Sequence, residues 1–297
     1  MSRQRSAPLV SVPHPTPLFE GRLIDRYQRF IAEIELSCGG RIRAHCVNPG
    51  RMEASPGWHG CTDRSEAEGR CWRGGPQPGQ VRPGARVWVS RVPADSKRKL
   101  RYTWELVEEA GQIVGANTVA PNRIVAELLA ARVLPGLRRF RALRREVAYA
   151  EASRVDFLLD GKVPHYVEVK NSHLVYPDGR GYFPDSVSAR AAHHLAALSD
   201  VVRAGAKATV LFTIQRPDVR AIRPSALHDP VFAAAARAAG AAGVRFRAVT
   251  IRPTLRAYEV VREIPVDLRE YATDDHQRWR AEKLPWSGWR RDPTRAR

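Results

Sequence analysis

No stretch of this sequence approaches the run of about 20 apolar residues that a helix needs to cross a bilayer. Cysteine is scarce. Cys38, Cys46, Cys61 and Cys71 are irregularly spaced, and four in a chain of 297 residues do not make a disulfide framework. The opening segment MSRQRSAPLVSVPHPTPLFEG has arginines but no apolar h-region, so it does not read as a signal peptide. A cytoplasmic chain with reduced thiols is the expectation. Lysine is scarce too: Lys97, Lys99, Lys162, Lys170, Lys207 and Lys283 are the only ones, and every other base is arginine. Together with alanine-rich stretches such as VFAAAARAAGAAG, this looks like coding bias, so part of the net charge of +18 is expected on solvated faces. The remainder fits a polyanionic partner, DNA or another nucleic acid first. The few lysines thereby become informative, and one of them lies in YVEVK.

The apolar fraction of 43% is enough for a proper core, and the chain has room for two domains. Residues 1–16 read as a flexible N-terminus. From 17 to 116 the texture is short alternating strands: two or three within 18–47 with a tight turn at Gly39-Gly40, then 85–92 and 102–108. Strands in series with little helix suggest a small closed barrel. Residues 53–84, rich in Gly, Pro, Arg and Ser, have no period and read as a loop insertion.

Residues 117–264 read as an α/β domain. PNRIVAELLAARVL is a helix with Pro121 in its first turn, followed by strands at about 144–150, 154–159 and 165–170. DSVSARAAHHLAALSDVVRAG is a second helix, with Asp185 as its expected N-cap, Val187 in its apolar face and Gly205 as its stop. ATVLFTIQ is nearly continuously apolar, as a central strand would be, and should pair in parallel with YVEVK. A further helix and two peripheral strands close the domain. The basic, Trp-dotted tail 265–297 is expected to be mostly disordered or a docking arm.

Pro164 cannot donate to a ladder and belongs in a turn. With the turn at DGKVP, Leu159 faces His165 and Asp156 faces Glu168, while Glu168 and Lys170 share a face by alternation. Two carboxylates and an ammonium then meet on one side of a sheet. Hard oxygen ligands suit Mg²⁺ or Mn²⁺, and a lysine beside the ion orients water or stabilises charge growing on phosphorus. The spacing D-x11-E-x-K, in an α-β-β-β-α-β order, resembles the PD-(D/E)xK nuclease superfamily, with VD in place of PD. Glu127 on the first helix is expected to face the same site as a further metal ligand, and Gln215 to hold a water or phosphate. Arg190 and His194, four apart on the second helix, share a face from which to grip phosphate. For the Glu168–Lys170 pair, Glu127, Arg190 and His194 the competing reading is a solvated surface.

The segments PLFEGRLIDRYQRFIAEIEL, AHCVNPGRM, SKRKLRYTWELV, VGANTVAPNRIV, LRREVAYAEASRVDFLL, YVEVKNSHLV, YFPDSVSARAAHHLAAL and VLFTIQR span about residues 17–264 in one order. In that order they resemble the sugar fermentation stimulation protein A (SfsA) family. The resemblance implies an N-terminal OB-fold, a C-terminal PD-(D/E)xK-type domain, DNA binding and a regulatory role in sugar metabolism. It also places the family's metal carboxylates and lysine on Asp156, Glu168 and Lys170, its helix glutamate on Glu127 and its post-strand glutamine on Gln215. The chain departs from the family at NPGRM, at the insertion, at His193 where a basic residue is usual, and in the tail.

An OB-fold holds nucleic acid by a basic groove and aromatic platforms. Lys97, Arg98, Lys99 and Arg101 beside Tyr102, with Arg22 and Arg29 on the first strand region, are the expected phosphate contacts. An exposed ring could stack a base, but Trp104 and Phe30 read rather as barrel core. His59, Cys61 and Cys71 lack the paired C-x2–4-C knuckle of a structural zinc site. Two functions remain open at this point: a metal-dependent nuclease, or a DNA-binding regulator on an idle nuclease fold.

Overall fold

A computed structural model of the chain describes residues 7–27, 30–48, 83–109, 111–150 and 153–283. The expected insertion (apart from its last two residues), the possible zinc ligands His59, Cys61 and Cys71, and Arg29 lie outside the described residues.

The N-terminal barrel is built from β2 (Leu18–Tyr27), β3 (Ile31–Leu36), β4 (Arg41–His45), β5 (Arg86–Arg91) and β6 (Tyr102–Glu109), preceded in the chain by β1 (Val10–Pro13). The hydrogen-bonded order is β4-β3-β2-β5-β6, and a parallel pairing of Ala44 and His45 on β4 with Tyr102 and Thr103 on β6 closes the ring. The β3–β4 turn runs through Gly39 and Gly40 as expected, both at φ near +90°, where a Cβ would be strained. Leu23, Ile34, Val87, Val89 and Trp104 fill the interior. A further short strand, β7 (Gln112–Gly115), pairs with β6 at the rim and leads into the second domain.

The second domain continues with α1 (Ala120–Ala130), β8 (Ala142–Ala150), β9 (Ser153–Asp160), β10 (His165–Ser172), β11 (Leu174–Val175), β12 (Arg180–Phe183), α2 (Ala189–Arg203), β13 (Lys207–Ile214), β14 (Ala221–Pro224), α3 (Pro230–Ala241), β15 (Arg245–Pro253), β16 (Ala257–Ile264) and α4 (Asp274–Lys283). Its main sheet has the order β1-β16-β15-β13-β10-β9-β8, with β13 parallel to β10 as the apolar pattern of ATVLFTI implies. One face packs on α1 through Ile124, Val125, Leu128 and Leu129. The other packs on α2 and α3 through Leu195, Leu198, Phe232 and Ala236.

Several expectations are corrected here. Within the expected flexible N-terminus, residues 10–13 form β1, which pairs with β16 at one edge of the main sheet, and residues 1–6 lie outside the described residues. The cap of α2 is Ser188, whose Oγ accepts from the Ala191 N–H, so the helix begins after Asp185 and leaves Val187 exposed. Residues 265–283 of the tail are ordered and include α4, and residues 284–297 lie outside the described residues. Arg223 pairs with Asp267, and Leu227, Tyr271 and Trp279 pack on Tyr182 of a small sheet, β11-β12-β14, that periodicity did not reveal, and on Tyr176 just after β11.

The two domains share a core. Trp88 and Leu106 of the barrel bury against α1 and the main sheet. Arg216, at the end of β13, is 1% exposed and pairs with Asp218 and with Glu109 of the barrel. Buried charges persist only when paired, so this contact holds the domains in one register.

Candidate active site

The β9–β10 ladder runs His165↔Leu159, Tyr166↔Leu158 and Val167↔Phe157, the register implied by a turn at Pro164. It stops one step short of Asp156. There the Asp156 carboxylate takes over: Oδ2 accepts from the Val169 N–H at 2.7 Å, and Oδ1 accepts from Asn122 Nδ2 of α1 at 2.7 Å. Sheet and helix are thus joined through the acid itself. Glu168 is 3% exposed. Its Oε1 accepts from Lys170 Nζ at 2.6 Å and from His194 Nδ1 of α2 at 2.5 Å. A carboxylate can only accept, so Nδ1 of His194 carries the proton, and Nε2 is left to accept from Arg190 Nε at 3.5 Å. The other Glu168 oxygen, Oε2, is buried with no partner among the described residues.

The electrostatics follow from this packing. Burial, with the neighbouring Glu168 charge, raises the Asp156 carboxyl to about 6. Burial would also raise Glu168, but the hydrogen bond from His194 and the Lys170 charge outweigh it and hold that carboxyl below its usual range. One carboxylate is firmly ionised, and its neighbour is strained by that charge. A cation beside them would relieve both the repulsion and the orphaned Oε2, and carboxylate oxygens are the donors a hard divalent ion takes, though only these two carboxylates are at hand among the described residues.

Gln215 lies close by but does not face outward. It is 1% exposed; its Nε2 donates to the Asn117 carbonyl at 2.7 Å and to Asn171 Oδ1 at 3.3 Å. A Cβ on Gly115 would meet Gln215 Oε1 at 1.9 Å, so the backbone of β7 presses directly on this amide. Gln215 is therefore a joint between barrel, linker and sheet. Asn117, which gave no sequence signal, is the hub of that joint. Its Oδ1 accepts from the Val119 and Ala120 N–H groups at the start of α1, and its Nδ2 donates to buried Glu105 of the barrel.

Glu127 does not join the cluster. It is exposed, and five residues beyond Asn122 it stands about 140° around the helix from the residue that touches Asp156. Among the described residues no group of three or more His, Cys, Asp or Glu is arranged to hold a metal. His194 is likewise not a surface phosphate grip, because it is buried on Glu168. Asn122 is the helix residue that sequence reasoning missed, hidden in a segment that reads simply as an N-terminal turn.

On the barrel, Lys97 and Lys99 are exposed. Arg98 reaches His45 Nδ1 at 2.6 Å and Thr103 Oγ1 at 3.2 Å, while Arg22 donates to the Gly84 carbonyl. Arg101 is committed to its own loop, donating to the carbonyls of Ser96 and Pro93. Trp104 is core as expected, but Phe30 is 48% exposed and lies 6.5 Å from the His45 ring.

The profile described as the sugar fermentation stimulation protein RE domain matches residues 119–257, and the SfsA N-terminal OB domain matches residues 24–73 and 74–116. The chain belongs to the SfsA family. The sugar fermentation stimulation protein homolog of Maricaulis maris is 40% identical over 258 residues, which is 86% of this chain and 99% of that one. The homolog of Alkalilimnicola ehrlichii is 41% identical over 257 residues, 84% and 97%. The solved structure of Pyrococcus furiosus SfsA in complex with Ca²⁺ matches with a TM-score of 0.71 at 23% identity, covering 88% of this chain and all of that chain. The SfsA architecture, an OB barrel joined to an α/β domain, is the one described above. No helix among the described residues is long and apolar enough to cross a membrane.

Proposed function

We propose that this SfsA-family protein is a Mg²⁺- or Mn²⁺-dependent phosphodiesterase that acts on DNA in the cytoplasm, with Asp156 and Glu168 holding the ion. The observation that carries the reading is Glu168 Oε2, a buried carboxylate oxygen with no partner, beside a second carboxylate whose ionisation it opposes. Such an orphan costs about 1–3 kcal/mol or more, and a cation offsets that cost. The Ca²⁺ in the Pyrococcus furiosus SfsA complex is a hard, oxygen-seeking ion of the same kind.

A bound ion would supply charge neutralisation at phosphorus and a more acidic water. The chain's own residues do the rest. His194 and Lys170 fix Glu168 by one oxygen and leave the other without a partner among the described residues. Asn122 and the Val169 N–H hold Asp156 in place. Lys170, on the same face, orients the attacking water and stabilises the growing phosphoryl charge. The water oxygen bonds to phosphorus as the bond from phosphorus to the leaving sugar oxygen breaks. One water proton passes to solvent, and the leaving oxygen takes a proton from solvent, giving a phosphate monoester end and a hydroxyl end. Exposed Lys97 and Lys99, with Arg98 and Arg22, engage phosphates on the barrel.

The test is cleavage of labelled single- and double-stranded DNA with Mg²⁺ or Mn²⁺ by the parent and by Asp156→Ala. Cleavage by the parent alone is expected. Salt-sensitive DNA binding without cleavage would instead favour a non-catalytic DNA-binding regulator.

A further inference from the structure

Leu143 and Arg145 on β8 lie on the α1 side of the main sheet: Leu143 packs into that core and the Arg145 guanidinium covers the Phe157 ring. Strict alternation would send Tyr149 to the same side. It does not go there. β8 pairs with β9 as Ala148↔Arg154 and then Ala150↔Ser153, so Tyr149 is the extra residue of a β-bulge. The bulge turns its ring to the other face, against Tyr166 at 5.5 Å between centroids. Tyr166 and Glu168 are two apart on β10 and share that face. A bulge that re-aims one side chain beside a functional site is a recurrent device.

The re-aimed side chain ends in an unusual group. The Tyr149 hydroxyl is buried and has no hydrogen-bond partner among the described residues. Buried tyrosine hydroxyls ordinarily find one. The charges of Glu168 and Asp156 both act on it and, after burial itself, push its ionisation upward, so it stays a neutral donor. Yet it bonds to neither carboxylate. One sheet face thus holds an orphaned acceptor, Glu168 Oε2, and an orphaned donor, Tyr149 Oη. A cation satisfies the first. Among the described residues no acceptor reaches the second, and an acceptor brought from outside would satisfy it.

We infer that the Tyr149 hydroxyl donates a hydrogen bond to a non-bridging oxygen of the bound phosphate, as a further substrate-contacting residue of the Asp156–Glu168–Lys170 site. The inference rests on the phosphodiesterase reading and names one of its contacts. The phenol keeps its proton throughout the reaction. Its bond strengthens as charge builds on the equatorial oxygens, which is where a fixed donor accelerates the step.

Tyr149→Phe removes the hydroxyl and nothing else. Three quantities are compared with the parent: DNA cleavage in Mn²⁺, binding of thymidine 5′-monophosphate in Ca²⁺ by calorimetry, and melting temperature. Expected are a loss of about 100-fold to 1,000-fold in kcat, nucleotide binding weaker by about tenfold, unchanged Ca²⁺ binding and a melting temperature no lower than the parent's. If the parent cleaves and binds the nucleotide and Tyr149→Phe matches it in both, the inference is overturned while the phosphodiesterase reading stands. A parent that binds the nucleotide through Tyr149 without cleaving DNA keeps the contact and sinks the hydrolytic reading. A parent that does neither overturns both. A lowered melting temperature with nucleotide binding intact would assign Tyr149 to packing and also overturn the inference.

Discussion

His194 and Glu168 meet at 2.5 Å, Nδ1 to Oε1, in a site where both side chains are about 5% exposed or less. Because Lys170 takes the same oxygen, two donors crowd one lone-pair region and the other oxygen has none. Groups that orient a metal-binding side chain typically contribute 10- to 100-fold in affinity. His194→Ala should therefore weaken Mn²⁺ binding by about that factor, measured by calorimetry. His194→Gln, which keeps an N–H donor, should recover much of the loss. Equal affinities in all three proteins would show that Glu168 is held without the histidine.

Metal should stabilise the fold by mass action, by about 2.7 kcal/mol at a hundred times its dissociation constant. A melting titration with Mn²⁺ should show a saturating rise for the parent and none for Glu168→Ala. Lys170→Ala should keep the rise and lose cleavage, since the lysine acts on water and phosphate rather than on the ion. A Lys170→Ala protein that cleaves at the parental rate would remove the lysine from the chemistry.

The C-terminal segment should not be dispensable through residue 283. Trp279 and Tyr271 pack on Tyr176 and Tyr182, and Tyr182 Oη donates to Asp178 at 2.6 Å beside buried His276. Trp279→Ala should cost about 2 kcal/mol, less than a full core aromatic because the ring is half-buried. Chemical denaturation would measure it, and truncation after Ile264 should cost more.

His165 sets an acid limit. It is buried, with Nε2 at 2.8 Å from Thr209 Oγ1, and burial together with Arg245, Lys207 and Arg247 lowers its pKa to about 4. The folded state then binds fewer protons than the unfolded state between about 4 and 6.5. Its contribution is present above about 6.5 and is lost as pH falls toward 4, by a few kcal/mol at most. His165→Gln should flatten the stability profile in that window. An unchanged slope would mean that another group controls the acid limb.

DNA binding should weaken steeply with salt. Replacing both Lys97 and Lys99 by alanine should lower the log–log salt slope by about 1.4 for single strands, two contacts at about 0.7 each. Phe30→Ala should weaken single-strand binding by about 1–3 kcal/mol if the exposed ring stacks a base, with little effect on melting. Parental affinity in Phe30→Ala would assign the ring to the barrel surface alone.

Much of this was legible because it is local. Alternation put Glu168 and Lys170 on one face, and Pro164 set the hairpin register that brought Asp156 to Glu168. The apolar run of β13 announced a covered parallel strand, and Gly39-Gly40 announced a turn. These features depend on period and backbone freedom, which a sequence displays directly. What the sequence could not decide involves groups distant along the chain. Asn122, not Glu127, meets Asp156, because the helix's rotation is set by its packing on the sheet. Gln215 turns inward because Gly115 lets another strand close on it. Tyr149 faces the site because the β8–β9 register shifts between Ala148 and Ala150, and no pattern of residue types records a bulge. Sequence periodicity determined which residues share a strand face; the packing of helix, barrel and bulged edge decided which of their neighbours touch them.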